Sequence, residues 1–207
     1  MNGQDEQSIA RELKRQVQIL GGLVAIFWIV EISDRLIFKG GLDRLGIIPH
    51  SFVGLRGIFF APFLHGNFAH LIANTIPFIV LGWLVMLQET EDFFIVTLSA
   101  MLVGGLGTWL FGAVPLASSV PAIHIGASGL IYGYLGFLLL RGYFQRNFAS
   151  IFLSIVVFFL YGGIIWGVLP SDPGISWQGH LFGFIGGILA ARAIAREKRA
   201  RRPFEGK

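Results

Sequence analysis

The sequence predicts an all-α, polytopic membrane protein: a six-transmembrane-helix bundle with a long interfacial loop between its first two helices. Of its 207 residues, 54% are hydrophobic, and the mean hydropathy is +0.70. Soluble domains are only about half apolar. Charged residues make up 14% of the chain and gather at its ends and in a few connectors. The apolar stretches left between them approach the roughly 20 residues that a bilayer requires. The 28 glycines are nearly twice the usual share of about 7%. Small residues let membrane helices bring their backbones into contact.

Apolar segments fall at 17–37, 69–88, 92–113, 126–141, 149–169 and 177–195. They form one membrane domain over 17–195, between an N-terminal tail (1–16) and a basic C-terminal tail (196–207). Arg11, Lys14 and Arg15 precede the first segment, and Arg192, Arg196, Lys198, Arg199, Arg201, Arg202 and Lys207 follow or close the last. By the positive-inside rule both termini are expected in the cytoplasm, with an even number of spans in the cell membrane. Arg141 and Arg146 place the fourth connector inside, whereas the third and fifth carry no basic residue. Arg35, Lys39, Arg44 and Arg56 lie in the outer first connector, so twelve of the sixteen basic residues remain inside.

The first segment runs without interruption only from Val17 to Val30, before Glu31, Asp34 and Arg35. A cleaved signal peptide is the competing reading, but no small-residue cleavage pattern follows, and removal would leave five spans. The connector 38–68 contains Pro49, Pro62 and the apolar run Ile58 to Leu64. That run is too short to span, so it is expected to lie in the interface or dip against the helices. The fourth segment is short as well: Gly126 to Leu140 is fifteen residues. At 1.5 Å per residue it covers about 22 Å of a core about 30 Å thick. Its outer end is therefore expected below the membrane surface, reached by the uncharged run Leu116 to Ile125 descending into the protein. The loop Pro170 to Ser176 is placed to cap the cavity above it.

Composition also excludes chemistry. The absence of cysteine rules out disulfides, thiolate catalysis and Cys-based metal sites. There is no HExxH, and His65 with His70 at five-residue spacing is poor ligand geometry on a helix, so neither a metal nor another cofactor is expected. The net charge of +4 sits in the flanks and not along a folded face, which argues against a nucleic-acid partner.

What remains is a serine and a histidine inside apolar helices. Ser128, in Gly126-Ala127-Ser128-Gly129, opens the fourth helix, and His180 lies in the sixth. A serine hydroxyl is a weak nucleophile until a base takes its proton, and imidazole suits that task near neutral pH. A helix N-terminus also favours a developing oxyanion. Alone, the serine motif is equally a small-residue packing site whose hydroxyl bonds back to the helix. His180 shifts the balance, because an ionisable residue within a membrane helix is costly and marks function. Gly179, Gly183 and Gly187 recur at four-residue spacing, as do Gly129 and Gly133, so two small faces can pack closely.

His70 and Asn74, one turn apart on the second helix, can donate hydrogen bonds with the Ser128 N–H to form an oxyanion hole. A structural interhelical hydrogen bond is the plainer reading of that pair. Tyr132, one turn below Ser128, can pack against the imidazole. His65 is expected nearer the surface, ordering the connector, and His50 and His124 in loops. Glu31, Glu89, Glu91, Asp92 and Asp172 fall at helix ends or in connectors. A Ser–His dyad is therefore expected in place of a triad, with slow turnover.

The run His65-Gly66-Asn67-Phe68-Ala69-His70-Leu71-Ile72-Ala73-Asn74, then Gly126-Ala127-Ser128-Gly129 with Tyr132, then Gly179-His180-Leu181-Phe182-Gly183 resembles the rhomboid family of intramembrane serine proteases. The motifs occur in family order over about 45–195. The resemblance implies Ser128 as nucleophile, His180 as general base and acid, His70 and Asn74 with the Ser128 N–H as oxyanion hole, and Tyr132 packed on the base. Where family members often carry Trp-Arg in the first loop, this chain reads Leu55-Arg56-Gly57.

Peptide hydrolysis in a bilayer needs an unwound substrate backbone, because a helix hides its carbonyls. The expected substrates are transmembrane segments of membrane proteins, weakened near their extracytoplasmic end and entering sideways from the bilayer, with the aromatic fifth helix either a lateral gate or a plain lipid-facing surface. The alternative is a non-catalytic relative that binds transmembrane helices, which would have no need of a nucleophile–base pair. A proton-coupled transporter is less consistent with a sequence in which neither an internal repeat nor a buried carboxylate is evident.

Overall fold

The computed structural model describes residues 3–112, 122–170 and 175–201. Leu116 to Val120, Asp172 with the rest of 171–174, and the terminal Arg202 and Lys207 lie outside the described residues. Within them the chain is helical, with one isolated antiparallel bridge between Ile47 and His124. Six long helices follow in order: α1 (Gly3–Ser33), α2 (Phe68–Met86), α3 (Thr90–Phe111), α4 (Ser128–Gln145), α5 (Phe148–Tyr161) and α6 (Trp177–Arg201).

Helix α1 begins well before the expected boundary at residue 17, so most of the anticipated N-terminal tail is helix. Its polar residues find partners that allow this. The buried Gln16 donates to Thr90 Oγ1 at 2.9 Å and accepts from Trp83 Nε1 at 3.1 Å, and Arg15 pairs with Glu91 at 2.9 Å. At the other end Glu31 is buried but paired with Arg35 at 2.8 Å, so the charges that interrupt the apolar run do not interrupt the helix. It continues as a π turn over Asp34–Phe38 and stops where Lys39 and Gly40 turn left-handed.

The connector that follows does not cross the membrane. Short 3₁₀ turns at Leu42–Leu45, Val53–Arg56 and Ala61–Phe63 flank one α-turn at Gly57–Phe60. Ile58, Ala61 and Leu64 are buried against the bundle while Phe59 and Phe60 face outward, as a segment dipping into the interface requires. Arg56 lies here and donates to the Arg44 carbonyl at 3.0 Å.

Asn67 then caps α2, its side chain accepting the His70 N–H at 2.8 Å. Asn147 caps α5 in the same way through the Ser150 N–H. Helix α4 runs to Gln145, past the expected end at residue 141, and Arg141 is therefore a helix residue and not part of a connector. It is fully buried, yet it donates to Gln88 Oε1 at 2.6 Å and pairs with Asp92 at 3.4 Å, and Lys198 reaches the same Asp92 at 3.2 Å. Eighteen residues still span only about 27 Å at 1.5 Å each.

Helix α4 is the central element, buried almost continuously from Leu130 to Leu138, and α6 and α3 pack along it. A Cβ on Gly183 would lie 2.1 Å from the Gly129 carbonyl oxygen, and one on Gly187 1.8 Å from that of Gly133. The two glycine faces read from the sequence thus meet each other. Helix α5 is peripheral, with Ser150 and Val157 as its buried residues. It passes into a 3₁₀ segment over Gly162–Val168.

Four helical stretches, Asp5–Phe38, Phe68–Met86, Thr90–Phe111 and Phe148–Val168, are long and apolar enough to cross a membrane by length and composition. Helices α4 and α6 fall outside that measure for a reason visible in the fold. They carry Tyr134, Arg141, Gln178 and His180, which are buried in protein, and Ser128, which lines a cavity. The chain is a multi-pass helical membrane bundle with α4 at its centre.

Candidate active site

Ser128 is the first residue of α4, and the turn before it depends on Gly126, whose φ of +116° is a conformation that L side chains rarely adopt. Gly126 N–H donates to the Ala61 carbonyl at 2.9 Å, fixing this turn to the first connector. The Leu130 and Ile131 N–H groups donate to the Ala127 carbonyl at 3.0 and 3.1 Å, while Ser128 and Gly129, the first two residues of α4, line a cavity.

His180 lies in the first turn of α6, anchored by its N–H to the Ser176 carbonyl at 3.1 Å. Across the crossing of α4 and α6 its Nε2 is 2.8 Å from Ser128 Oγ. Its Nδ1 is 2.9 Å from the Gly167 carbonyl oxygen. A carbonyl only accepts, so Nδ1 carries the proton and Nε2 presents a lone pair to the Ser128 hydroxyl. Tyr132 lies flat against the imidazole, centroids 4.1 Å apart and planes 11° from parallel, and its hydroxyl donates to the Ile164 carbonyl at 2.7 Å.

His70 and Asn74 line the same cavity as Ser128 and His180. A Cβ on Gly126 would lie 2.8 Å from His70 Nε2 and 3.8 Å from Asn74 Nδ2, so both groups converge on the backbone just before the serine. Asn74 Nδ2 also donates to the His70 carbonyl at 3.1 Å, which ties the two together along α2. The arrangement gathers a hydroxyl, an imidazole of fixed tautomer and several hydrogen-bond donors around one point. That set is suited to acyl transfer.

The packing residues named from the sequence are placed as follows. Gly129 and Gly183 make the backbone contact that lets the serine and histidine meet, and Gly179 packs beside Ser176 and Thr108. His50 is in the connector, with Nε2 2.8 Å from the Leu110 carbonyl.

His65 differs from expectation: it is fully buried, not near the surface, with its ring 5.7 Å from Phe27 and 5.2 Å from His70. The connector doubles back over α1, and that carries it inward. Burial lowers its pKa to about 4, helped by the nearby His70 and opposed by the Phe63 carbonyl. His124 is a loop residue, as expected, but it also lines the cavity and bonds to Ser176. Gly167 had no signal in the sequence, because its contribution is a backbone carbonyl.

The family model described as the Rhomboid domain matches residues 54–197. An uncharacterized protein of Mycobacterium tuberculosis is 44% identical over 208 residues, covering 96% of this chain and 86% of that protein. The rhomboid protease GluP of Bacillus subtilis is 30% identical over 141 residues, 65% of this chain and 25% of GluP. The putative rhomboid protease YdcA of the same organism is 27% identical over 141 residues, 67% of this chain and 66% of YdcA.

Proposed function

This chain belongs to the rhomboid family, whose members are usually intramembrane serine proteases, and on that premise we propose that it is an intramembrane serine endopeptidase working through a Ser128–His180 dyad. The observation that carries this reading is the 2.8 Å approach of His180 Nε2 to Ser128 Oγ, with the opposite nitrogen held by a carbonyl.

In the proposed reaction Ser128 Oγ attacks the scissile carbonyl carbon while its proton passes to His180 Nε2. The oxyanion accepts hydrogen bonds from the Ser128 N–H, His70 and Asn74. The imidazolium is held by the Gly167 carbonyl and the Tyr132 face. It returns the proton to the departing amine, leaving an acyl-enzyme ester that water hydrolyses with His180 again as base. Gly167 orients the base as a triad acid would, but a neutral carbonyl stabilises an imidazolium less than a carboxylate does. Turnover is accordingly slow.

The substrates are transmembrane segments of membrane proteins, cut near their extracytoplasmic end. The protein lies in the cell membrane with both termini cytoplasmic, and α4 and α6 span with the other four helices. The exposed aromatic face of α5 and its 3₁₀ extension, Phe152, Phe158, Phe159 and Trp166, supports entry from the lipid on that side.

The test is labelling of the detergent-solubilised protein with a serine-reactive fluorophosphonate, followed by cleavage of a transmembrane substrate. Wild type is expected to label and cleave, and Ser128→Ala and His180→Ala to do neither. Equal labelling of all three proteins overturns the dyad. Labelling at Ser128 without cleavage of any transmembrane substrate favours a helix-binding relative.

A further inference from the structure

The bond between Ser128 and His180 is the last link of a longer chain of contacts. His124, four residues before the serine, is paired through its backbone with Ile47: its N–H donates to the Ile47 carbonyl at 2.9 Å, and its carbonyl accepts the Ile47 N–H at 3.0 Å. With the Gly126 bond to Ala61, this fastens the backbone approaching the nucleophile to the first connector. The His124 side chain makes a different attachment, its Nδ1 lying 2.7 Å from Ser176 Oγ.

Ser176 is the residue before α6, and its carbonyl accepts the N–H of His180. The side-chain bond from His124 therefore joins the segment that carries the nucleophile to the turn that carries the base. Among the described residues, Ser176 is the hydrogen-bond partner of the His124 ring, whose buried Nε2 has none. Both residues line the cavity that contains Ser128 and His180.

We propose that His124 is a positioning residue for the dyad: through Ser176 it holds the first turn of α6 in register with the start of α4, so that the His180 imidazole meets Ser128 Oγ. The proposal rests on the protease reading above. Glycine contacts fix how close α4 and α6 come, but a close backbone crossing still permits small sliding along and rotation about the helix axis. A polar contact at the mouth of both helices restrains that motion where it matters most, because a displacement of about 1 Å between reacting groups can cost around a hundredfold in rate.

The test uses the full-length protein in detergent and four single variants with one double. His124→Phe keeps an aromatic ring, somewhat larger, and removes both nitrogens, and His124→Asn returns an amide near the place of Nδ1. Ser176→Ala removes the hydroxyl with the least change in volume, and Ser176→Thr restores it. The readouts are the inactivation rate with a fluorophosphonate, kcat and KM on a transmembrane substrate, and the thermal midpoint.

His124→Phe and Ser176→Ala are each expected to slow inactivation and lower kcat roughly tenfold, the effect of a modest misalignment, with KM nearly unchanged. The double variant should be no slower than the worse single one, and His124→Asn and Ser176→Thr should recover most of the loss. Wild-type inactivation rates in Ser176→Ala, independent multiplicative losses in the double variant, or a fall in thermal midpoint with kcat intact each overturn the proposal. Failure of the protease reading is distinguishable, since wild type and Ser128→Ala would then label alike.

Discussion

Tyr132 and His180 stack ring on ring, 4.1 Å between centroids and 11° from parallel, on two helices that cross at glycine. The tyrosine hydroxyl is bonded to the Ile164 carbonyl and the histidine Nδ1 to the Gly167 carbonyl, both on the 3₁₀ segment after α5. One short segment thus orients both rings. Tyr132→Phe keeps the stack and loses one hydrogen bond, so a loss of kcat of only a few-fold is expected, in line with about 1 kcal/mol for such a bond. Tyr132→Ala removes the face itself and should cost well over tenfold in kcat (more than about 1.4 kcal/mol). Equal activity of Tyr132→Ala and wild type would show that the stack does not hold the base.

Gly167 tests the same device from the other side. A Cβ there would lie 1.9 Å from the Tyr132 hydroxyl oxygen and 3.4 Å from His180 Nδ1. Gly167→Ala is expected to lower fluorophosphonate reactivity strongly while the protein stays folded. Gly163, four residues earlier with nothing within 4 Å of its Cβ position, is the matched control. Gly163→Ala should label as wild type.

The crossing of α4 and α6 has almost no tolerance for added volume. Gly183→Ala places a methyl 2.1 Å from the Gly129 carbonyl, a backbone atom that cannot swing away. Helix separation follows, with a loss of thermal stability and of labelling together. The strain expected for overpacking is about 1–3 kcal/mol. A Gly183→Ala protein with wild-type stability and activity would contradict the contact.

Arg141 closes the bundle at the end of α4 remote from Ser128. Its removal opens a cavity among fully buried atoms and takes a partner from Gln88 and Asp92, but Lys198 stays 3.2 Å from Asp92, so the cost lies below the roughly 3–5 kcal/mol of leaving a buried charge uncompensated. Arg141→Ala should therefore lower the thermal midpoint markedly while the molecules that remain folded label at the wild-type rate. A specific loss of labelling at unchanged stability would mean that this cluster communicates with the site.

His65 predicts a pH dependence of stability. Its pKa in the fold is about 4, well below the roughly 6.5 of an unperturbed histidine. The unfolded chain takes up this proton first as pH falls, so the contribution is fully present above about 6.5 and is lost progressively as pH drops toward 4. Wild type should accordingly lose more thermal stability between pH 7 and pH 4.5 than His65→Phe does. Parallel curves for the two proteins would assign the acid sensitivity to other groups.

The candidate site was partly legible because it is built from residues that are rare in apolar helices. Histidine and serine stand out in apolar helices, and four-residue glycine spacing identifies a face without knowledge of its partner. Ser128, His180, His70, Asn74 and Tyr132 could therefore all be named in advance. The helix ends were less legible, for a reason that Glu31 and Arg141 illustrate. A charge reads as a terminus when its partner is unknown, and here the partners are Arg35, one turn ahead, and Asp92, on another helix.

The sequence by itself determined the class of the protein and the identities of the groups at its centre, since hydropathy and residue chemistry are properties of the chain. Tertiary structure alone decided their arrangement: that Gly129 meets Gly183, that His65 turns inward, and that Ser176 stands between His124 and His180. It also placed the Gly167 carbonyl 2.9 Å from His180 Nδ1. A backbone carbonyl is present at every residue, so only the folded position of this one distinguishes it from the others.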